Sequence, residues 1–246
     1  MKITFLGSSH GVPAADRYCS SLMVEVNGSV YIIDTGAPLI DCLLRHGKLP
    51  KDVKAILYTH GHSDHVSGIF QYLDLLQWYY REDSVDIYMT EQRVLGGIQA
   101  YLNAMFGHYC EERIRFSVVP SDFVFDDGSL KVTYIPTKHI LQGELPSYAM
   151  LLEADGKKVL VTGDLSQNLG ESDFPQIAAE IETDVVICEM AHFGVSKVQP
   201  YLETCKTKQF WFTHVYPYKR FDDIRAVMND YPFSIHIACD DDEIVI

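Results

Sequence analysis

The sequence predicts a mixed α/β (α+β) fold in which two sheets carry helices on their outer sides. Three observations predict it. Tight Asn-Gly and Asp-Gly turns between apolar runs mark β-hairpins around 27–28, 126–129 and 155–157. Short apolar runs alternate with helical stretches through the second half, as parallel crossovers require. No Pro/Ser/Gly-rich linker divides the chain, so residues 1–246 are expected to form a single domain.

Taken in order, residues 3–6 read as a first strand, and 8–13 as a loop. Residues 21–26 and 30–33 pair across Asn27-Gly28, giving an antiparallel start. Asp34-Thr35-Gly36 closes that strand, and 37–46 reads as a helix ended by Gly47. Asp34 is expected to hold a neighbouring loop by accepting backbone hydrogens, the commoner part for a carboxylate at a strand end. Residues 55–58 are apolar enough for a parallel strand buried on both faces. Helix 66–80, strand 85–90, helix 91–108 (weakened by Gly96-Gly97) and strand 114–119 follow. Two hairpins join 123–125 to 130–135 and 148–154 to 158–162. Helices over 174–181, 198–205 and 221–228 then alternate with strands over 185–188, 209–213 and 234–238. The acidic run 240–243 reads as a turn before 244–246.

With 47% hydrophobic and 22% charged residues, the 246-residue chain has ordinary globular composition. Its net charge of −14 weighs against a surface that wraps nucleic acid, although two divalent ions would add local positive charge. Cys19, Cys42, Cys110, Cys188, Cys205 and Cys239 are scattered, with no CxxC pair, and suggest reduced thiols in a cytoplasmic protein. No signal peptide or membrane span is visible. Neither a Gly-x-Ser-x-Gly elbow nor a Walker loop is present, so serine hydrolase and nucleotide-cradling chemistries have no support. Lys197, Lys206, Lys208, Lys219 and Arg220 fall where charge is usually solvated.

The chemistry concentrates at Thr59-His60-Gly61-His62-Ser63-Asp64-His65. On an extended segment leaving a strand, His60 and His62 point to one side. Asp64 and His65 fall in the first turn of the helix that follows. A His-rich surface loop is the bland alternative, but four such residues at this spacing after a buried strand favour metal ligation. Further donors are expected beyond strand ends, where His139, Asp164 and His214 each terminate an apolar run. So many donors exceed one closed tetrahedral site, and two adjacent ions fit better.

The order His-x-His-x-Asp-His, then His, then Gly-Asp, then His resembles the metallo-β-lactamase fold superfamily. That resemblance implies an αββα four-layer sandwich. It implies one metal on His60, His62 and His139, a second on Asp64, His65 and His214, and Asp164 as the bridge. Residues 5–13, and 145–149 with the Asp155-Gly156 turn, are similar to the tRNase Z and cyclic-phosphodiesterase branch. Where that branch carries His-Glu-Ala-Thr, this chain has Cys188-Glu189-Met190-Ala191, with a histidine at His192 instead. It also lacks a long Gly/Pro/Lys-rich insertion, so extended tRNA binding is not expected.

The function implied is a dinuclear hydrolase acting on a small nucleotide or RNA-type phosphodiester through a hydroxide shared by two divalent ions, zinc first, with manganese or iron as alternatives. Asp64 would orient the nucleophile and His192 would be the general acid. Ser9 and His10 in the N-terminal loop, and Ser147 with Tyr148, are candidate substrate contacts. A metal-dependent carboxylic ester, lactone or thioester hydrolase is the second reading, and a mononuclear-iron thiol dioxygenase the third. No membrane partner is expected, and a homo-oligomer is left open.

Overall fold

The computed structural model describes residues 1–12, 14–140, 145–167 and 173–246. Pro13, the last residue of the N-terminal loop motif, lies outside them. Strands β1 (Lys2–Gly7), β2 (Ser21–Val26) and β3 (Ser29–Ile33) form an antiparallel meander. Strands β4 (Val53–Leu57), β5 (Val85–Met89) and β6 (Ile114–Val118) join it in parallel. The second sheet repeats the plan. β7 (Val124–Asp126), β8 (Lys131–Pro136), β9 (Tyr148–Ala154) and β10 (Lys157–Val161) are antiparallel neighbours. β11 (Thr183–Met190), β12 (Thr207–Val215) and β13 (Ser234–Ile237) add in parallel. The last strand, β14 (Glu243–Val245), returns to the edge of the first sheet beside β1, so each sheet has seven strands among the described residues.

Alternation along the strands divides the interior into three apolar layers. Phe5, Val24, Tyr31, Ile33 and Leu57 of the first sheet meet Met150, Leu152, Val159 and Ile187 of the second. The opposite side chains, Met23, Ile32 and Ile56, face helices α1 (Leu39–Arg45), α3 (Ile69–Trp78) and α4 (Gln92–Phe106). On the far side, Val186, Cys188, Phe210 and Phe212 face α5 (Ile177–Glu180), α6 (Val195–Leu202) and α7 (Lys219–Val227). Strands covered on both faces read as continuous apolar runs, and their helices cover the outside. The result is the four-layer αββα sandwich.

Some boundaries differ from expectation. The helix expected over 66–80 is split into one turn, α2 (Ser63–Val66), and α3. At the break the Gly68 N–H donates to Thr35 O at 2.6 Å, so the 34–37 loop is wedged against the helix start. The helix expected over 174–181 is a single turn, because Pro175 disfavours helical geometry at Phe174. Phe174 packs on Tyr201 instead, with ring centroids 4.9 Å apart. Among the described residues, no helix is long and apolar enough to cross a membrane.

Candidate metal centre

Donor-bearing residues gather at the carboxyl ends of strands from both sheets. His60, His62, Asp64 and His65 follow β4 and enter α2. His139 follows β8, Asp164 follows β10, and His214 lies near the end of β12. Three residues here adopt left-handed backbone: Asp34 (φ 58°), Gly163 (φ 58°) and His214 (φ 56°). For Asp34 and His214 that conformation is strained, and strain held by surrounding structure concentrates at functional sites. Gly163 carries no such cost, and a Cβ there would come within 2.7 Å of Tyr148 O.

The side chains converge as two groups, His60, His62, His139 and Asp164, and Asp64, His65, Asp164 and His214. Within each group the donor atoms all lie within 4.8 Å of one another, and Asp164 belongs to both. His60 Nε2 is 3.8 Å and His139 Nε2 3.7 Å from Asp164 Oδ2, and His62 Nδ1 is 3.1 Å from His139 Nε2. His214 Nε2 stands 3.3 Å from Asp164 Oδ2 and 3.7 Å from Asp64 Oδ2. His65 Nε2 stands 3.4 Å from Asp164 Oδ1.

The outer nitrogens are already committed. Asp34 Oδ2 accepts from His65 Nδ1 at 2.8 Å and from Thr59 Oγ1 at 2.7 Å, while Oδ1 accepts the Thr59 N–H at 2.8 Å. The loop-holding part expected for Asp34 therefore extends to fixing a ring. His139 Nδ1 faces Leu165 O at 3.2 Å, and His214 Nδ1 lies 2.8 Å from Ser20 Oγ and 3.1 Å from Ser9 O. Such outer partners set ring orientation and leave the other nitrogen for a metal.

Among the described residues, His60 Nε2 and His65 Nε2 are buried without a hydrogen-bond partner. An unmet buried donor or acceptor costs about 1–3 kcal/mol, and one cation in each donor group would satisfy these two nitrogens. Burial lowers the pKa of His60 well below its ordinary value, helped by neighbouring His65, and burial lowers that of His139. Both are thus neutral ligands-in-waiting. Burial would also lower His65, but Asp164 and Asp34 outweigh it and hold that imidazole well above its ordinary value. Burial would raise Asp164, yet His214 and His65 keep its carboxyl well below the usual range. Imidazole nitrogens and carboxylate oxygens suit a borderline divalent cation, so the donors fit a metal pair.

Beside the cluster lies a residue that sequence reasoning missed. Glu189, at the end of β11 and 2% exposed, accepts His192 Nδ1 at 2.8 Å through Oε1. The same oxygen accepts the Leu165 N–H at 3.0 Å, and Oε2 accepts the Ala191 N–H at 2.6 Å. Burial would depress His192, but the hydrogen bond and charge of Glu189, with Asp164 and Asp64, lift it to about 9. His192 Nδ1 is 4.0 Å from Asp164 Oδ2, and its ring centroid is 4.6 Å from that of His139. The Arg220 guanidinium pins this loop by donating to the carbonyls of Met190 (3.0 Å), Ala191 and Tyr216. A carboxylate ending an apolar strand, as Asp164 does, was the available signal for Glu189. Cys188, at the position of the absent histidine, is wholly buried under the outer helices, and burial pushes its thiol far up.

The remaining candidates divide. Ser9 contributes its carbonyl to His214, a positioning part. Ser147 and Tyr148, expected at the substrate, are drawn into the interior. Thr137 Oγ1 donates to Ser147 Oγ at 2.9 Å, and that hydroxyl donates on to Thr137 O. Tyr148 packs its ring on Tyr134 in the layer between the sheets. His10 lies 3% exposed beside the cluster, its ring 6.0 Å from that of His214.

Residues 14–189 match the family model described as Metallo-beta-lactamase superfamily. The chain belongs to the metallo-beta-lactamase superfamily. Divalent-metal binding is the property its name carries, and the convergent histidines and aspartates are consistent with it. Among curated metallo-beta-lactamase relatives, a Ribonuclease Z of Bradyrhizobium diazoefficiens is 30% identical over 180 residues, covering 70% of this chain and 56% of its own length. A Ribonuclease Z of Picosynechococcus is 27% identical over 227 residues, covering 78% and 68%. The chain thus spans little more than half of the first relative. Among solved structures, the metallo-beta-lactamase fold protein YhfI from Bacillus subtilis superposes with TM-score 0.80 at 17% identity, covering 99% of both chains. The short form of human tRNase Z gives TM-score 0.73 at 18% identity, covering 100% of this chain and 99% of that one.

Proposed function

We propose that the chain is a dinuclear metal-dependent phosphodiesterase acting on a small nucleotide or a short RNA-type phosphodiester, with zinc preferred and manganese or iron as substitutes. The carrying observation is the pair of donor groups that share Asp164. The Ribonuclease Z relatives support the bond type. The net charge of −14 supports a small substrate over a long nucleic acid, whose binding rests on many basic contacts.

On this reading His60, His62 and His139 would hold one ion, Asp64, His65 and His214 the other, with Asp164 available to both. The ions would supply Lewis-acid stabilisation of phosphoryl oxygens and an acidified water as nucleophile. Asp64, partly open to solvent, accepts a hydrogen from the attacking water and orients it. His192 has Nδ1 tied to Glu189, which leaves Nε2 to carry the proton given to the leaving oxygen. Glu189 stabilises the charged ring, and Arg220 fixes the loop that carries it.

The test is metal analysis of the purified protein together with turnover of bis-p-nitrophenyl phosphate after reconstitution with zinc or manganese. About two equivalents of metal are expected, with turnover abolished in His62→Ala and Asp164→Ala. About one equivalent of iron with no phosphodiester turnover would overturn the reading.

A further inference from the structure

Two imidazoles border the cluster without belonging to either donor group. His192 is tied to Glu189, and the second is His10. Its backbone is fixed on both sides. Ser8 N–H and Oγ–H donate to Asp240 Oδ1 at 2.8 and 2.7 Å, the Ser9 N–H donates to Tyr18 O at 2.8 Å, and Cys19 Sγ donates to His10 O at 3.4 Å. The ring rests against Tyr216, centroids 4.1 Å apart, and meets His214 edge-on. The charges acting on it are those of His214, Asp64, Asp164 and His192, all members or neighbours of the cluster. Next to it, a Cβ on Gly11 would lie 3.0 Å from Asp64 Oδ2, so this backbone runs along the carboxylate.

The Val12 N–H donates to His10 Nδ1 at 2.9 Å. In the neutral ring Nδ1 is then the acceptor, and Nε2 carries the hydrogen. Nε2 is buried and has no hydrogen-bond partner among the described residues. An oriented donor left unmet beside a cluster of metal-type ligands is a device for a group that arrives with the substrate.

We propose that His10 Nε2–H donates to a non-bridging phosphoryl oxygen of the bound substrate, beside Asp64 and His214. The assignment rests on the phosphodiesterase reading and narrows it. A phosphodiester has two non-bridging oxygens, of which one can remain beyond the reach of the ions, whereas a carboxylic ester has one. A donor for the additional oxygen helps the phosphodiester and does nothing for the ester. His10 is therefore a specificity-determining residue.

The experiment compares wild type, His10→Ala and His10→Gln, all metal-loaded, on bis-p-nitrophenyl phosphate and p-nitrophenyl acetate. Binding of inorganic phosphate is measured alongside by calorimetry. His10→Ala is expected to lose about a hundredfold in phosphodiester kcat/KM with ester turnover and metal content unchanged. Its phosphate Kd should rise about tenfold. His10→Gln, whose amide can donate from a similar reach, should recover most of both, and it serves if the alanine variant folds poorly. Equal losses on both substrates, an unchanged phosphate Kd, or loss of one metal equivalent would each overturn the assignment. If wild type cleaves phosphodiesters and the variants do not alter the ratio, His10 alone has been misassigned. If wild type cleaves none, the parent reading fails and takes this one with it.

Discussion

Asp34 shows how much a single side chain can organise. Its left-handed backbone aims one carboxylate at the Thr59 N–H, the Thr59 hydroxyl and the His65 ring together. In Asp34→Asn one end of the acceptor becomes a donor, and His65 loses its orienting partner. Metal affinity of the Asp64–His65–His214 group is expected to fall about 10–100-fold, read by competition with a chelator; an unchanged affinity would leave Asp34 as loop support alone. The donors themselves were legible because short-range spacing and strand ends announce them. Glu189 was not, since its partner His192 depends on a loop that Arg220 holds from another segment. Ser147 and Tyr148 misled because a polar residue beside a strand start gives no hint whether its hydroxyl turns inward to Thr137 or outward to a substrate.

At the level of elements, strands were the readable part. β3, β4, β9 and β11 are covered on both sides, so their sequences are mostly apolar and their limits fall within a few residues of expectation. Helix breaks were hidden because tertiary contacts set them, as at Gly68 between α2 and α3. Gly36 sits in the same junction, where a Cβ would lie 1.8 Å from Asp64 O and 2.8 Å from Ser20 O, both rigid backbone. Gly36→Ala is expected to cost about 3 kcal/mol or more, lowering Tm by roughly 6–12 °C. Gly96, inside α4, has open space around it. Gly96→Ala should therefore stabilise by about 1 kcal/mol and raise Tm by roughly 2–4 °C. Thermal denaturation of the two variants checks both signs, and a tolerated Gly36→Ala would mean that the junction can part.

Across the whole molecule, the two sheets share one plan, an antiparallel meander followed by parallel strands, although no internal repeat is visible in the sequence. Layer order was legible from the succession of hairpins and crossovers, but the return of β14 to the first sheet was not, because a three-residue strand carries almost no pattern. Asp184 links three strands of the second sheet. Its carboxylate accepts the Lys158 N–H at 3.0 Å and lies 2.8 Å from Lys208 Nζ. Burial would raise its pKa, but the hydrogen bonds from Lys208 and Lys158 dominate and hold it below 3.8. A folded-state pKa below the unfolded value contributes stability above 3.8 that is lost as pH falls through the lower folded value. Asp184→Asn should cost about 1 kcal/mol near neutral pH. Urea unfolding should show that gap closing as pH falls below 3.8, and a constant gap would assign the effect to packing.

The placement of the donors has a mechanical consequence. On the proposed ligation, each ion would join residues that follow a strand of the first sheet to a residue at or just beyond a strand end of the second. His62 and His139, 77 residues apart, would share one ion. In the unfolded chain such a tie would close a long loop, and by the chain-entropy argument one cross-link of that span is worth about 4 kcal/mol. The described cysteines are all unpaired. The ions would then be the chain's rivets, giving the bracing that secreted domains draw from disulfides, in a form that assembles and releases with the supply of metal.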